Sequence, residues 1–278
     1  DLHGHLLDLP FVLLFLALVL NGLKTASLFT IHYLLSLPLL LGVMSMTNFW
    51  DLPIYLLILG IVLLWQNYQQ HGKTLETIYK TIFYSILYTL LATIFSLSFH
   101  LHFQSIAQGV GLVDFHSPVW MLFFLWGFPL LMTISFLGAA KTRKKTKKHK
   151  LTDFSVLILL LVSWFLILVP EVLYVKDIYI HSYQRANTMF KFTYQSFVMF
   201  SLVSGYIIVQ ALLYFKKGMA RNLLFTSCLL LFTLVMIYPY FAIKSYYGLK
   251  VYHGLNGIKY LFGLYPDDYQ AILWFKKN

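Results

Sequence analysis

Eight apolar stretches of membrane-spanning length divide this 278-residue chain, and they settle its solvent before any motif is read. A hydrocarbon core is crossed by roughly 20 apolar residues of helix. The stretches cover residues 6–20, 27–46, 52–65, 78–99, 118–139, 154–175, 189–215 and 223–243. The first and third are short and are expected to tilt, to thin the bilayer at their ends or to be partly re-entrant. Hydrophobic residues make up 59% of the chain and charged ones 11%, against about 25% charged in a soluble domain. The expected fold is an all-α integral membrane protein of about eight transmembrane helices.

Charge orients the spans. The connections 141–150 and 216–221 are rich in Lys and Arg, which places them in the cytoplasm. Threading from that anchor puts Lys24, Lys73 and Lys80 inside as well. Thirteen of the 21 Lys/Arg are then inside, opposed by Glu76 and Asp153 alone, and the outside holds eight Lys/Arg and eight Asp/Glu. The whole formal charge of +11 is therefore a topology signal. It is not the footprint of a nucleic-acid partner; the expected partner is membrane lipid, in a multi-pass cell-membrane protein. Residues 1–243 read as the transmembrane domain, and 244–278 as the start of an extracytoplasmic C-terminal segment. The single cysteine, Cys228, lies in an apolar run and reads as a buried inert thiol. The chain opens at Asp1 without Met or a basic n-region, so its first span is not expected to be a signal peptide. It reads as a fragment cut at both ends.

The polar motifs fall on the outer side. Asp1, His3 and His5 precede the first span, with Asp8 and Pro10 close behind. Asp and His in this arrangement could ligate a divalent ion or act as acid and base. The bland alternative is a helix N-terminus, with acids at the positive dipole end and Pro10 in an opening turn. Asn48, Trp50, Asp51, Pro53 and Tyr55 open the third span. Asp51 as N-cap with Pro53 in the first turn explains them structurally, with Trp50 and Tyr55 as interfacial anchors. His100, His102, Asp114 and His116 share one external loop, where solvated side chains are the expectation. Ser117-Pro118 reads as the N-cap and N1 of the fifth span.

The segment 171–195 is the richest. Glu171, Tyr174 and Asp177 follow Pro170 at the outer end of the sixth span; Arg185, Asn187, Thr188, Lys191, Tyr194 and Gln195 open the seventh. Asn187, Lys191, Tyr194 and Gln195 fall at i, i+4, i+7 and i+8, one face of a helix. Charge embedded there should face the bundle or a wet cavity. Arg185 offers a two-pronged phosphate donor and Lys191 a point charge. The structural alternative is a Glu171–Lys191 ion pair with Arg185 at the headgroups. In the tail, Asn256-Gly257 marks a turn, and Pro266-Asp267-Asp268 with Tyr269, Ile272 and Trp274 marks a capped amphipathic helix.

These blocks resemble a known family. Asp1-Leu-His-x-His5, Asn48-x-Trp50-Asp51-x-Pro53-x-Tyr55, Pro170-Glu171-x-x-Tyr174-x-x-Asp177 and Arg185-x-Asn187-Thr188-x-Phe190-Lys191-Phe192-x-Tyr194-Gln195 stand in the order of the YYY (Chlor_Arch_YYY) membrane-protein domain. The tail resembles its Pro-x-Asp-x-x-Ala-Ile-x-Trp ending. Departures are Gly4 for Pro, Phe49 for Thr and Asn256 for Asp, the last arguing against a catalytic carboxylate there. The family is similar in architecture to membrane glycosyltransferases of the GT-C type, which use polyprenyl-phosphate sugars on the extracytoplasmic side. That resemblance implies a triple-Tyr signature and an acidic loop upstream of Asp1, where a catalytic base could lie, and an external domain beyond Asn278.

The resulting expectation is a GT-C-type glycosyltransferase with a polyprenyl-phosphate sugar donor. It displaces a lipid phosphate from an anomeric carbon, which calls for a cation at the departing phosphate, a base and a water-poor groove. Arg185 and Lys191, with Asn187, Tyr194 and Gln195, are assigned to the donor phosphate. Asp1, His3, His5 and Asp51 are assigned to the acceptor or a divalent cation. Glu171 is expected to orient Lys191, supported by Tyr174, Asp177, Asn48 and Trp50. The alternatives are a transporter or flippase of lipid-linked saccharides, with polar residues near the midplane on broken helices, and a non-catalytic scaffold.

Overall fold

The structure is a computed structural model that describes residues 3–25, 28–105, 107–142, 147–178, 183–214, 218–247, 258 and 260–278. Its elements in chain order are α1 (Gly4–Thr25), α2 (Ile31–Thr47), α3 (Asp51–His71), α4 (Leu75–Phe95), α5 (Leu97–His100), β1 (Val110–Leu112), α6 (Val119–Thr142), α7 (Lys147–Val172), β2 (Leu173–Val175), α8 (Ala186–Tyr214), α9 (Met219–Tyr247), α10 (Leu261–Leu264) and α11 (Pro266–Lys277). Seven of these helices are long and apolar enough to cross a membrane, and α2 is a shorter apolar helix.

The helices outrun the apolar windows. α1 and α3, expected to be short, have 22 and 21 residues. Their ends are polar in sequence, but a backbone in lipid must satisfy its own hydrogen bonds, so the helix continues until water is reached. Gln66 and Asn67 illustrate this near the end of α3. The Gln66 amide donates to the Gly22 carbonyl of α1, and that of Asn67 to Thr81 of α4. The short span is instead α2, whose 17 residues reach roughly 25 Å against a core of about 30 Å. The basic connection before the sixth span is also shorter than expected, because α7 begins at Lys147.

The chain divides into two compact units, Asp1–Gln210 and Ala211–Asn278. In the first, α3 and α7 are central: 50% and 56% of their most apolar windows are buried, against 11% for α4 and α6. The core runs along Phe15, Leu41, Tyr55, Leu63, Leu160 and Met199. Burying apolar groups gains little over contact with lipid, so association rests on packing and interhelical polar contacts. Gly42 lets α2 approach α4 closely; a Cβ there would stand 3.0 Å from the Ala92 carbonyl oxygen. Ser196 donates to the Ser163 carbonyl, and the Trp164 indole to Thr133, tying α7 to α8 and α6.

A two-stranded sheet replaces the expected end of the sixth span. α7 stops at Val172, and Leu173–Val175 pairs antiparallel with Val110–Leu112, with Tyr174 opposite Gly111. The loop before α6 is thereby clipped to the segment that leads into α8. In the second unit, α9 runs on through Tyr247, beyond the boundary expected at residue 243. α11 has Pro266 at its start and Asp267 and Asp268 in its first turn, the helix the sequence announces, but its N-cap residue is Tyr265 and makes no side-chain capping bond. The Asn256-Gly257 turn lies outside the described residues.

Candidate functional site

One end of the first unit gathers the start of α1, the end of α2, and the starts of α3 and α8. Gly4 sits against the Thr47 carbonyl of α2, where any Cβ would collide. That close approach brings His5 and Asp8 over the start of α3.

Asp51 is the centre of the cluster. It is fully buried and is the first residue of α3, not its cap; Trp50 holds the N-cap position, with no side-chain capping bond. The capping expectation is therefore corrected. Asp51 points inward because Gln195 of α8 is there to meet it: the Gln195 amide donates to Asp51 Oδ1 over 2.8 Å. The Gln195 carbonyl accepts from the Tyr55 hydroxyl at 2.6 Å. Tyr55 is wholly buried, so it is a core polar link and not an interfacial anchor.

Around this triad stand groups without partners. Asp8 neighbours Asp51, is fully buried, and has neither carboxylate oxygen hydrogen-bonded. Asp51 Oδ2, Asn48 Nδ2 and His5 Nδ1 are likewise buried and unbonded. Asp8 lies in the second turn of α1 with Pro10 inside the helix, so the reading of an opening turn with dipole-seeking acids is corrected too.

His5 is packed edge-on against Tyr194 and Phe190 at 4.5 and 4.7 Å, and its face stacks on exposed His3 at 5.4 Å. Trp50 meets Phe192 at 5.4 Å. Lys191 is half-buried on α8, its ammonium 5.6 Å from the Phe190 ring centre, within the electrostatic reach of Asp51. Among the described residues no carboxylate comes within 4.0 Å of it.

A second polar knot joins the ends of α6, α7 and α8. Arg185 Nη1 donates to Glu171 Oε2 at 2.6 Å and to the Pro170 carbonyl at 3.0 Å, while Nη2 donates to Ser117 Oγ at 3.0 Å. The Ser117 amide also donates to Glu171 Oε2, at 2.8 Å. The expected Glu171–Lys191 pair is thus replaced by Glu171–Arg185, and Glu171 does not orient Lys191. Both terminal nitrogens of Arg185 are engaged by protein acceptors. Pro118, one residue later than expected, supplies the first carbonyl that accepts from α6 amides.

Nearby, the Asn187 amide donates to Asp177 Oδ2 at 2.9 Å, and Thr188 Oγ1 accepts from the Val175 amide, fixing β2 to α8. Tyr174 is buried against Gly111. The polar stripe on α8 therefore divides: Lys191, Tyr194 and Gln195 serve the Asp51 cluster, and Asn187 serves the entry to α8. His102 and Asp114 are exposed, as expected of solvated loop side chains, but two of the loop histidines also have partners. His100 Nε2 lies 3.2 Å from Ser45 Oγ, and His116 Nδ1 lies 2.7 Å from the Glu171 carbonyl oxygen. Asp1 lies outside the described residues.

Asp8 is the residue that reading by motif passed over. Its signal was plain: an acid embedded in an apolar span is costly and marks function by default. Among the described residues no group of three or more His, Cys, Asp or Glu is arranged to hold a metal.

The fold and the site define a multi-pass helical membrane protein with a polar cluster at one end of its bundle. The chain matches the model of an uncharacterized membrane protein family, DUF2298, over residues 1–162 and 142–200, and it belongs to that family. No curated protein and no solved structure matches it.

Proposed function

We propose that this protein is a membrane glycosyltransferase of GT-C type that takes its sugar from a polyprenyl phosphate on the extracytoplasmic face. The observation that carries this reading is that Lys191, a cation with no carboxylate partner among the described residues, lies within electrostatic reach of Asp51, a buried carboxylate with one idle oxygen. Facing helices supply the two, at the end of the bundle where a lipid-borne phosphate would arrive.

The reaction asks for these two groups. The acceptor hydroxyl attacks the anomeric carbon and gives its proton to Asp51, aided by His5 or His3. The bond from the anomeric carbon to the phosphate oxygen breaks, and the lipid phosphate leaves with the electron pair. Lys191 balances the charge developing there. Preorganised charge in a water-poor site is worth far more than the same charge in water. Gln195 and Tyr55 hold Asp51 in place. Arg185, tied to Glu171 and Ser117, fixes the ends of α6, α7 and α8 and reaches a phosphate only by exchanging those partners.

The test is transfer from a polyprenyl-phosphate hexose by the whole protein in lipid nanodiscs. Lys191→Met and Asp51→Asn are expected to lose about 100-fold or more in rate, with the amount of folded protein kept. Wild-type transfer rates in Lys191→Met would overturn the assignment.

A further inference from the structure

We propose that Asp8 of α1 and Asp51 of α3, with Asn48 beside them, bind one divalent cation of the Mg2+ or Mn2+ kind. The two carboxyl groups are neighbours and both are fully buried. Of their four oxygens, Asp51 Oδ1 alone has a well-formed hydrogen-bond donor, the Gln195 amide; the two carboxyls themselves stand close enough to share a proton when no ion is bound. Burial without compensation is costly for one carboxylate and more so for two together. A sequence does not leave such groups in a packed bundle end without something to meet them.

Two further orphans surround them. Asn48 is 6% exposed and its Nδ2 has no partner, although it sits beside Asp51. Turning its amide end for end presents Oδ1 instead. His5 stands three residues before Asp8, on the same face of α1, with Nδ1 buried and unbonded. Two buried carboxyl groups and an amide oxygen form a hard, all-oxygen donor set, which suits Mg2+ or Mn2+ better than Zn2+ or copper.

Charge decides between one positive charge and two. Lys191 is the cation within electrostatic reach of Asp51. One ammonium against two carboxylates leaves one negative charge, which repels a phosphate. A monovalent ion brings the sum to zero. A divalent ion brings it to one positive charge, the sign a lipid phosphate requires. Mg2+ is commonly held by one or two carboxylates with substrate phosphate and water filling the remaining positions. Two protein carboxylates are therefore enough, and no triad of His, Cys, Asp or Glu is needed. The use of the ion rests on the transferase reading above, with Asp51 then holding the ion and the acceptor proton passing to His5; its binding does not rest on that reading.

The probe is Mn2+, followed by electron paramagnetic resonance on the whole protein in detergent after removal of metal with a chelator. One Mn2+ per chain is expected, displaced by Mg2+, with affinity lowered about tenfold or more in Asp8→Asn. Asp114→Asn, which alters an exposed carboxylate in the loop between β1 and α6, should bind as wild type does. Absence of stoichiometric Mn2+ on folded wild-type protein overturns the site and leaves a proton shared between the carboxyls. Unchanged binding in Asp8→Asn overturns it as well. Where Asp8→Asn does not fold, Asn48→Ala decides, by weakened or unaltered Mn2+ binding. Transfer without bound Mn2+ sinks the metal and spares the transferase; bound Mn2+ without transfer does the reverse.

Discussion

Gln195 on α8 donates its amide to the Asp51 carboxylate on α3 over 2.8 Å, across 144 positions of sequence. The same side chain accepts the Tyr55 hydroxyl, so one residue satisfies two buried groups of α3. Gln195→Leu strands both. A buried polar group left without a partner costs about 1–3 kcal/mol, so a loss of roughly 2–5 kcal/mol is expected. Thermal unfolding in detergent reads it. A change within a few tenths of a kcal/mol would mean the triad is not buried in the working protein.

The choice of partner for Glu171 gives a second test. Removing one member of a largely desolvated ion pair costs about 3–5 kcal/mol, and Glu171–Arg185 is such a pair. A double-mutant cycle on Glu171→Gln and Arg185→Gln should show strong coupling in stability. The parallel cycle with Lys191→Met should show coupling near zero. The opposite pattern would restore Lys191 as the partner of Glu171.

Arg185 also separates charge from geometry. Lysine keeps the charge but lacks a planar fork, so it cannot serve Ser117, Glu171 and Pro170 together. Arg185→Lys is expected to lower stability by about 1–2 kcal/mol, in keeping with lost hydrogen bonds of ordinary strength. Transfer per folded molecule should fall less than in Lys191→Met. A stable Arg185→Lys protein without activity would return the phosphate to Arg185.

Sidedness is tested by labelling. Cysteine at Gln108, exposed beside β1, should react with an impermeant thiol reagent in intact cells. Cysteine at Lys73, exposed between α3 and α4, should react only after permeabilisation. The reverse result turns the site to the cytoplasm and removes the extracytoplasmic transferase reading.

Gly4→Ala probes the close approach that assembles the site. The added Cβ meets the Thr47 carbonyl, which belongs to backbone and cannot swing aside. The start of α1 must then lift from α2, moving His5 and Asp8. Lower stability by about 1–3 kcal/mol is expected. Mn2+ uptake measured on the same protein should fall with it.

Apolar length and the Lys/Arg distribution were enough to give an all-α membrane protein and the places of its eight apolar helices, because lipid admits no other backbone solution for such stretches. The same signals grouped the motif residues at helix ends of one expected face. What sequence periodicity could not say was which polar group meets which. Asp51 fits the grammar of a cap equally well, and only a glutamine 144 residues away turns it inward. Glu171 had two cations within sequence reach, Arg185 and Lys191, and the packing of α6 against α7 selected Arg185 by adding Ser117 to the knot. Asp8 looked like a dipole-seeking acid until the contact of Gly4 with Thr47 set it beside Asp51. Local sequence determines which backbone states lipid permits, whereas the partners of a buried charge depend on helix faces brought together from distant parts of the chain, and tertiary packing alone decides those.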